Sequence, residues 1–231
     1  MRRETCMETE RILVPDSLQE TLWRLEETRH GFRSKSDAYV KEALEWVLSR
    51  QGLPGSYRNL FSPTNKDLSQ GVQLLTGERY PSRNALTRHV LGEEALRTAI
   101  VWELRSSSAV TEALKGFDQI LERGGKSGYY CCYTCTISFL RTLAAVKPDN
   151  WGEILEKGLN RIKNARTPDG KWHGYPFYYT LITLSQMDVP SAQAELRHIT
   201  KAAERLLKRY PDNDRTSLFR RLGLKAALNV A

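Results

Sequence analysis

GGKSGYYCCYTCTISFL (residues 124–140) and GKWHGYPFYYTLITL (residues 170–184) decide the fold once one is laid over the other. A shift of 46 residues carries Gly124, Gly128, Tyr129, Tyr133 and Thr134 onto Gly170, Gly174, Tyr175, Tyr179 and Thr180. The shared pattern is G-x3-G-Y-x3-Y-T followed by an apolar run, which reads as a tight turn that starts a buried helix. Glycine permits a turn that a side chain would block. The tyrosine packs its ring while its hydroxyl finds a polar partner. A third stretch, TGERYPSRNALTRHVL (residues 76–91), keeps Gly77 and a polar turn before a helix, a degenerate copy at most. A helical hairpin cannot bury both of its faces alone, so copies must stack.

The rest of the chain reads the same way. DSLQETLWRLEETRH opens on an Asp16/Ser17 cap, sets Leu18, Leu22 and Leu25 on one stripe and stops at Gly31. SKSDAYVKEALEWVLSRQG follows, with Ser36 or Asp37 as cap and Gly52 as stop. Further helices are expected near 83–91, 93–105, 107–123, 130–146, 151–164, 177–187, 191–209 and 214–229, with turn residues at Gly92, Gly124-Gly125, Pro148, Pro168-Asp169-Gly170, Pro190 and Pro211. Apart from ERILV near the start, no segment alternates as a strand would. The expected class is all-α, stacked hairpins forming an incomplete or small α/α toroid. Residues 1–52 make an amino-terminal hairpin, 53–69 a Gly/Pro/Ser/Asn-rich linker or loop, and 70–231 the main helical domain.

Composition narrows the partners. With 40% apolar and 27% charged residues the chain can bury a core, which sets it apart from disordered segments. No apolar run approaches the roughly 18 residues of a membrane span, and no apolar stretch follows Arg2 and Arg3 as a secretory signal requires, so the default location is the cytoplasm. The net charge of +8 favours anionic partners, although the basic residues form only short clusters such as RRLGLK at 220–225.

PDGKWHGYPFYYTLITLSQM resembles the repeat of protein prenyltransferase β subunits and of terpene and squalene cyclases, with its DG-(aromatic)-G turn and Tyr-Thr inner helix. TGERYPSRNALTRHVLGEEALR, YYCCYTCT and DGKW…PFYYTL together look like a family of bacterial toroid-like proteins. The resemblance covers about residues 70–210 and implies an α/α toroid whose inner end accepts a small apolar ligand or a protein partner. In prenyltransferases zinc is held by an Asp, a Cys two positions later and a distant His. Here Cys135 sits in the comparable helix, but Tyr133 stands where the Asp would be, and the Asp-x-Asp-Asp motif of protonating cyclases is absent.

Four residue sets are candidates for function. Trp172, His173, Tyr175, Tyr178, Tyr179, Tyr129 and Tyr133 would line an apolar pocket, or fill the core as bulky residues at helical spacing usually do. Cys131, Cys132 and Cys135, with His89, could hold zinc, because thiolates at C-x2-C spacing with a histidine suit that ion. Packing and a reactive thiol are the other readings of the cysteines. Arg88, His89, Glu93 and Glu94 around Gly92 could do acid–base work, but the expected role of the two glutamates is to cap a helix start.

The last set is amino-terminal. RILVPDSLQETLWRLEETRHGFRSKSDAYVKEALEWVL resembles a ribbon-helix-helix domain, in which paired strands of a dimer read DNA. That resemblance implies Thr9, Arg11 and Leu13 as outward readers and Ser34, Lys35 and Ser36 as a phosphate clasp. The simpler alternative makes these helices the first hairpin of the toroid.

Overall fold

Ser17 begins the first helix, its Oγ accepting the Glu20 amide at 3.0 Å, and α1 runs Leu18–Arg29. The computed structural model describes residues 11–80, 84–211 and 214–230, so Cys6 and Thr9 lie outside the described residues. The second helix, α2, spans Asp37–Ser49, and a short α3 spans Asn65–Gln70. A two-stranded antiparallel ribbon follows, β1 (Val72–Gln73) and β2 (Arg79–Tyr80), pairing Val72 with Tyr80 and Gln73 with Arg79. Then come α4 (Asn84–Val101), α5 (Ser108–Glu122), α6 (Tyr133–Val146), α7 (Trp151–Asn164) and α8 (Phe177–Ser185). The chain closes with α9 (Pro190–His198), α10 (Thr200–Leu207) and α11 (Arg215–Asn229). The fold is all-α, and no described helix is long and apolar enough to cross a membrane.

Contacts pass in order from α1 to α4, α4 to α6, α6 to α8 and α8 to α11. Arg215 at the start of α11 then reaches α1, donating to Glu20 and Glu27 at 2.7–3.1 Å. Phe219 of α11 meets the His30 and Phe32 rings just past the end of α1. The other long helices flank this series, α2 against α1, α5 against α4, α7 against α6 and α9 against α8. The sequence accounts for α6, since Thr134–Leu143 are all buried and a helix without a polar face belongs inside.

Both repeat turns have the geometry their glycines imply. Gly128 (φ 70°) and Gly174 (φ 78°) are left-handed, and each precedes one of two helices that pack on each other, α6 and α8. Gly77 (φ 91°) also has positive φ and stands ahead of α4. Its neighbour Glu78 caps α8 from a distance, accepting the Tyr178 amide at 3.0 Å and the Tyr179 amide at 3.3 Å. That carboxylate supplies the cap that Pro176, at the N-cap position, does not.

Three expectations need correction. The Gly92 break does not exist, because α4 runs through it and Glu93 and Glu94 lie mid-helix instead of capping a start. Gly92 is there for close approach, since a Cβ would sit 3.1 Å from Leu60 Cβ. Residues 191–209 are two helices, divided at Ile199 (φ −96°, ψ 2°), whose side chain is fully buried. Residues 11–14 form no strand: Ile12 is buried, and the Val14 amide donates to Thr21 Oγ1 at 3.0 Å. Between Gly52 and α3, Leu60 and Phe61 are fully buried, and the Arg58 carbonyl lies where a Cβ on Gly116 would be, at 1.9 Å.

Candidate functional site: a thiol cluster beside a tyrosine cleft

Laid on the repeat, Cys131 and Cys132 match Phe177 and Tyr178. The latter pair are the first residues of α8, whereas α6 begins only at Tyr133. The difference is local. Cys131 is left-handed (φ 60°), and the Cys132 amide donates to the Tyr130 carbonyl at 2.7 Å, closing a three-residue turn. A non-glycine residue held in that region costs on the order of 1–3 kcal/mol, and such strain gathers at functional sites. The turn folds Cys131 and Cys132 back over the first turn of the helix, where Cys135 lies. The three sulfurs come within 4.8 Å of one another. Cys131 is exposed, Cys132 half-buried and Cys135 buried.

The thiols differ in acidity. The Cys135 thiol, a hydrogen-bond donor beside Cys132, together with the amides of Cys135 and Thr134, brings the Cys132 thiol down to about 5 against the pull of burial. The same contact, with burial, drives the Cys135 thiol up. The metal-free cluster therefore holds a thiolate at Cys132 and a thiol at Cys135 near neutral pH. Alkylation of Cys132 in the reduced, metal-free chain, followed peptide by peptide, should rise with a midpoint near pH 5. A midpoint near 8.5, the ordinary thiol value, would remove the helix-start stabilisation from the account.

Tyrosines flank the cluster. Tyr129, Tyr133 and Tyr175 line a cleft of about 360 Å³ with Arg161, Asn164 and Ala165. The Tyr133 ring lies 6.2 Å from Tyr129 and 4.7 Å from Tyr175, and is 41% exposed. Arg161 stands over the Tyr129 face at 5.5 Å. These three are the members of the predicted aromatic set that the fold brings together. Trp172 is buried, its indole donating to Glu195 at 2.9 Å. Tyr178 bonds the Tyr210 hydroxyl at 2.6 Å. His173 is exposed.

Tyr179 belongs to a polar centre that sequence reasoning missed. Its hydroxyl donates to Glu94. Arg141 of α6 also grips Glu94, at 2.6 and 2.7 Å, and reaches Glu26 of α1 at 3.1 Å. Arg97 of α4 is bidentate to Glu26, both bonds 3.1 Å, and Gln186 accepts from both arginines at 3.0 Å. Burial pushes the Glu26 carboxyl up, but Arg97, His30 and Arg141 outweigh it and hold that carboxyl well below its ordinary range. A cavity of about 240 Å³ opens over this network between Arg29, Lys147 and Met187. With Arg97 and Arg141 already held by carboxylates, the network first of all ties α1, α4, α6 and α8 together.

His89 does not join the sulfurs. Its Nε2 lies 2.8 Å from Glu93 Oε1, both side chains buried, and its ring sits between Tyr57 (4.8 Å) and Tyr130 (4.9 Å). From there it acts on Cys132 only electrostatically. The amino-terminal set is dispersed. Arg11 is exposed with its carbonyl accepting from Arg24 at 2.7 Å, and Leu13 packs on the core. Ser34 and Lys35 are exposed in the turn before α2, where Lys35 pairs with Asp37 at 3.4 Å and Ser36 is the N-cap. No family model, curated protein or solved structure matches the chain.

Proposed function

We propose that the protein is a binding module of the α/α-toroid kind, in plan like the prenyltransferase-like proteins. Its working end is the tyrosine cleft, and Cys131, Cys132 and Cys135 hold one thiophilic metal ion there. The observation that carries this reading is the convergence of three sulfurs within 4.8 Å, in the one repeat copy whose helix starts late. Thiolates bound to zinc at about 2.3 Å stand roughly 3.8 Å apart, so sub-ångström shifts close the set on an ion. Soft donors select zinc or monovalent copper over magnesium or calcium. The Asp–Cys–His set of prenyltransferases does not fit here, because Tyr133 replaces the carboxylate and His89 is engaged by Glu93. The open side of the cluster, next to Tyr129 and Tyr133, is where a ligand would meet the ion.

Cobalt(II) titration of the reduced protein tests this. The expected result is one equivalent bound with thiolate-to-cobalt charge-transfer absorption, displaced by zinc. Cys132→Ser or Cys135→Ser should weaken binding at least about tenfold, while His89→Gln leaves it unchanged. Binding that depended on His89 and ignored Cys132 would contradict the proposed ligand set.

A second reading is favoured by the opposite shifts of Cys132 and Cys135. A low-pKa thiol at a helix start beside a buried partner suits thiol–disulfide exchange. The ribbon-helix-helix alternative draws less support. It needs a free strand before α1, whereas residues 11–14 form none and the Val14 amide is taken by Thr21 Oγ1.

A further inference from the structure

Arg88, half-buried on α4, has an Nε that is itself buried without a hydrogen-bond partner, and no carboxylate among the described residues pairs with its guanidinium. A guanidinium is always charged and carries five donors. A buried Nε–H without an acceptor is unfavourable, and the Arg88 guanidinium lines a cleft of about 500 Å³ between the end of α2, the loop before α3 and the start of α4. Gly55 of that loop (φ 96°) lies beside the guanidinium, close against Ser62 Oγ.

A second arginine lines the same cleft. Arg50 Nε donates to the Ser62 carbonyl at 2.5 Å and Nη2 to the Pro63 carbonyl at 3.0 Å. Those neutral acceptors fix the side chain without cancelling its charge, and its guanidinium rests over the Trp46 ring at 5.3 Å. Among the described residues no acidic one lines the cleft. The two nearby are occupied: Asp16 accepts Lys66 at 2.9 Å, and Asp67 accepts Ser17, Leu18 and Thr64 at 2.7–2.9 Å. Pro15, Pro54 and Pro63 complete the walls. Proline carries no amide donor and has a fixed φ, so these walls are stiff and ordering them on binding costs little.

We infer that this cleft binds a phosphate dianion, free or as the monoester of a small molecule, between the forks of Arg50 and Arg88. Two guanidiniums match the double charge, and a planar fork suits phosphate oxygens. The cleft exceeds what one phosphate fills, leaving space for a small organic group. This site rests on residues other than the thiol cluster and stands or falls independently of it.

Calorimetry on the full chain with inorganic phosphate and with glycerol 3-phosphate tests it, at constant ionic strength in chloride. One saturable site per chain is expected. Arg88→Gln should weaken it at least tenfold and Arg88→Lys, which keeps the charge but loses the fork, by a smaller factor. Lys66→Gln, at a lysine that pairs with Asp16 and is not among the residues lining the cleft, should change it less than twofold. Tighter binding of the ester assigns the site to organic phosphates, and tighter binding of the bare ion assigns it to free phosphate. Either result supports the inference. No saturable heat with either probe, or equal loss in the Lys66 and Arg88 variants, overturns it, since the second outcome is diffuse charge attraction.

Discussion

Gly128→Val should destabilise the protein by about 4 kcal/mol or more, lowering the melting temperature by roughly 10 °C in a chain of this size. Two independent causes add. The residue is left-handed (φ 70°), a region that β-branched side chains rarely adopt. Its Cβ would also lie 2.2 Å from the Gly158 amide nitrogen, part of the α7 backbone, which has no rotamer with which to move away. Gly174→Val shares the first cause (φ 78°), but its Cβ would meet the Tyr133 ring at 2.4 Å. That ring is 41% exposed and can swing outward, so the loss should be smaller. Thermal or denaturant unfolding of both variants ranks them. Equal, minor losses would mean that the repeat turns do not set how α6 meets α7.

Arg141→Met should cost about 3–5 kcal/mol, the range seen when one partner of a buried ion pair is removed. Arg141 is 1% exposed in its side chain and bridges Glu94 to Glu26. Methionine fills much the same volume, so the loss reads the uncompensated carboxylates rather than a cavity. The pH dependence gives a separate signature. Glu26 titrates in the folded chain well below its ordinary 4.5. Its contribution is therefore fully present above that value and is lost as pH falls through the folded pKa. In the variant Glu26 protonates more readily, so the stability gap between the two proteins should narrow below pH 4.5. A gap that stayed constant across that range would show that packing, not charge, explains the loss.

The fold was legible where a local rule coincided with tertiary need. The glycine pairs, the Ser17 cap and the buried run of α6 each say the same thing at both levels. Gly92 misled because a mid-helix glycine usually marks a break, whereas here it admits the Leu60 side chain. The polar centre was not legible. Glu26 and Arg97 sit in sequences that read as solvated helix faces and Arg141 is a single cation in an apolar run, and only the packing of four helices brings them onto one another. The cysteines were visible as a motif but their convergence was not, because it depends on the left-handed turn at Cys131, a residue type with no preference for that conformation. His89 was a plausible ligand by chemistry alone. Its capture by Glu93, one helical turn along α4, follows from α4 being unbroken.

X-ray absorption at the zinc edge of the reduced, zinc-loaded protein tests the thiol site most directly. The account predicts three sulfur neighbours at about 2.3 Å and one lighter donor near 2.0 Å, with one sulfur lost in Cys132→Ser. A shell of nitrogen and oxygen alone would place the metal elsewhere and leave the cysteines as packing at the head of α6.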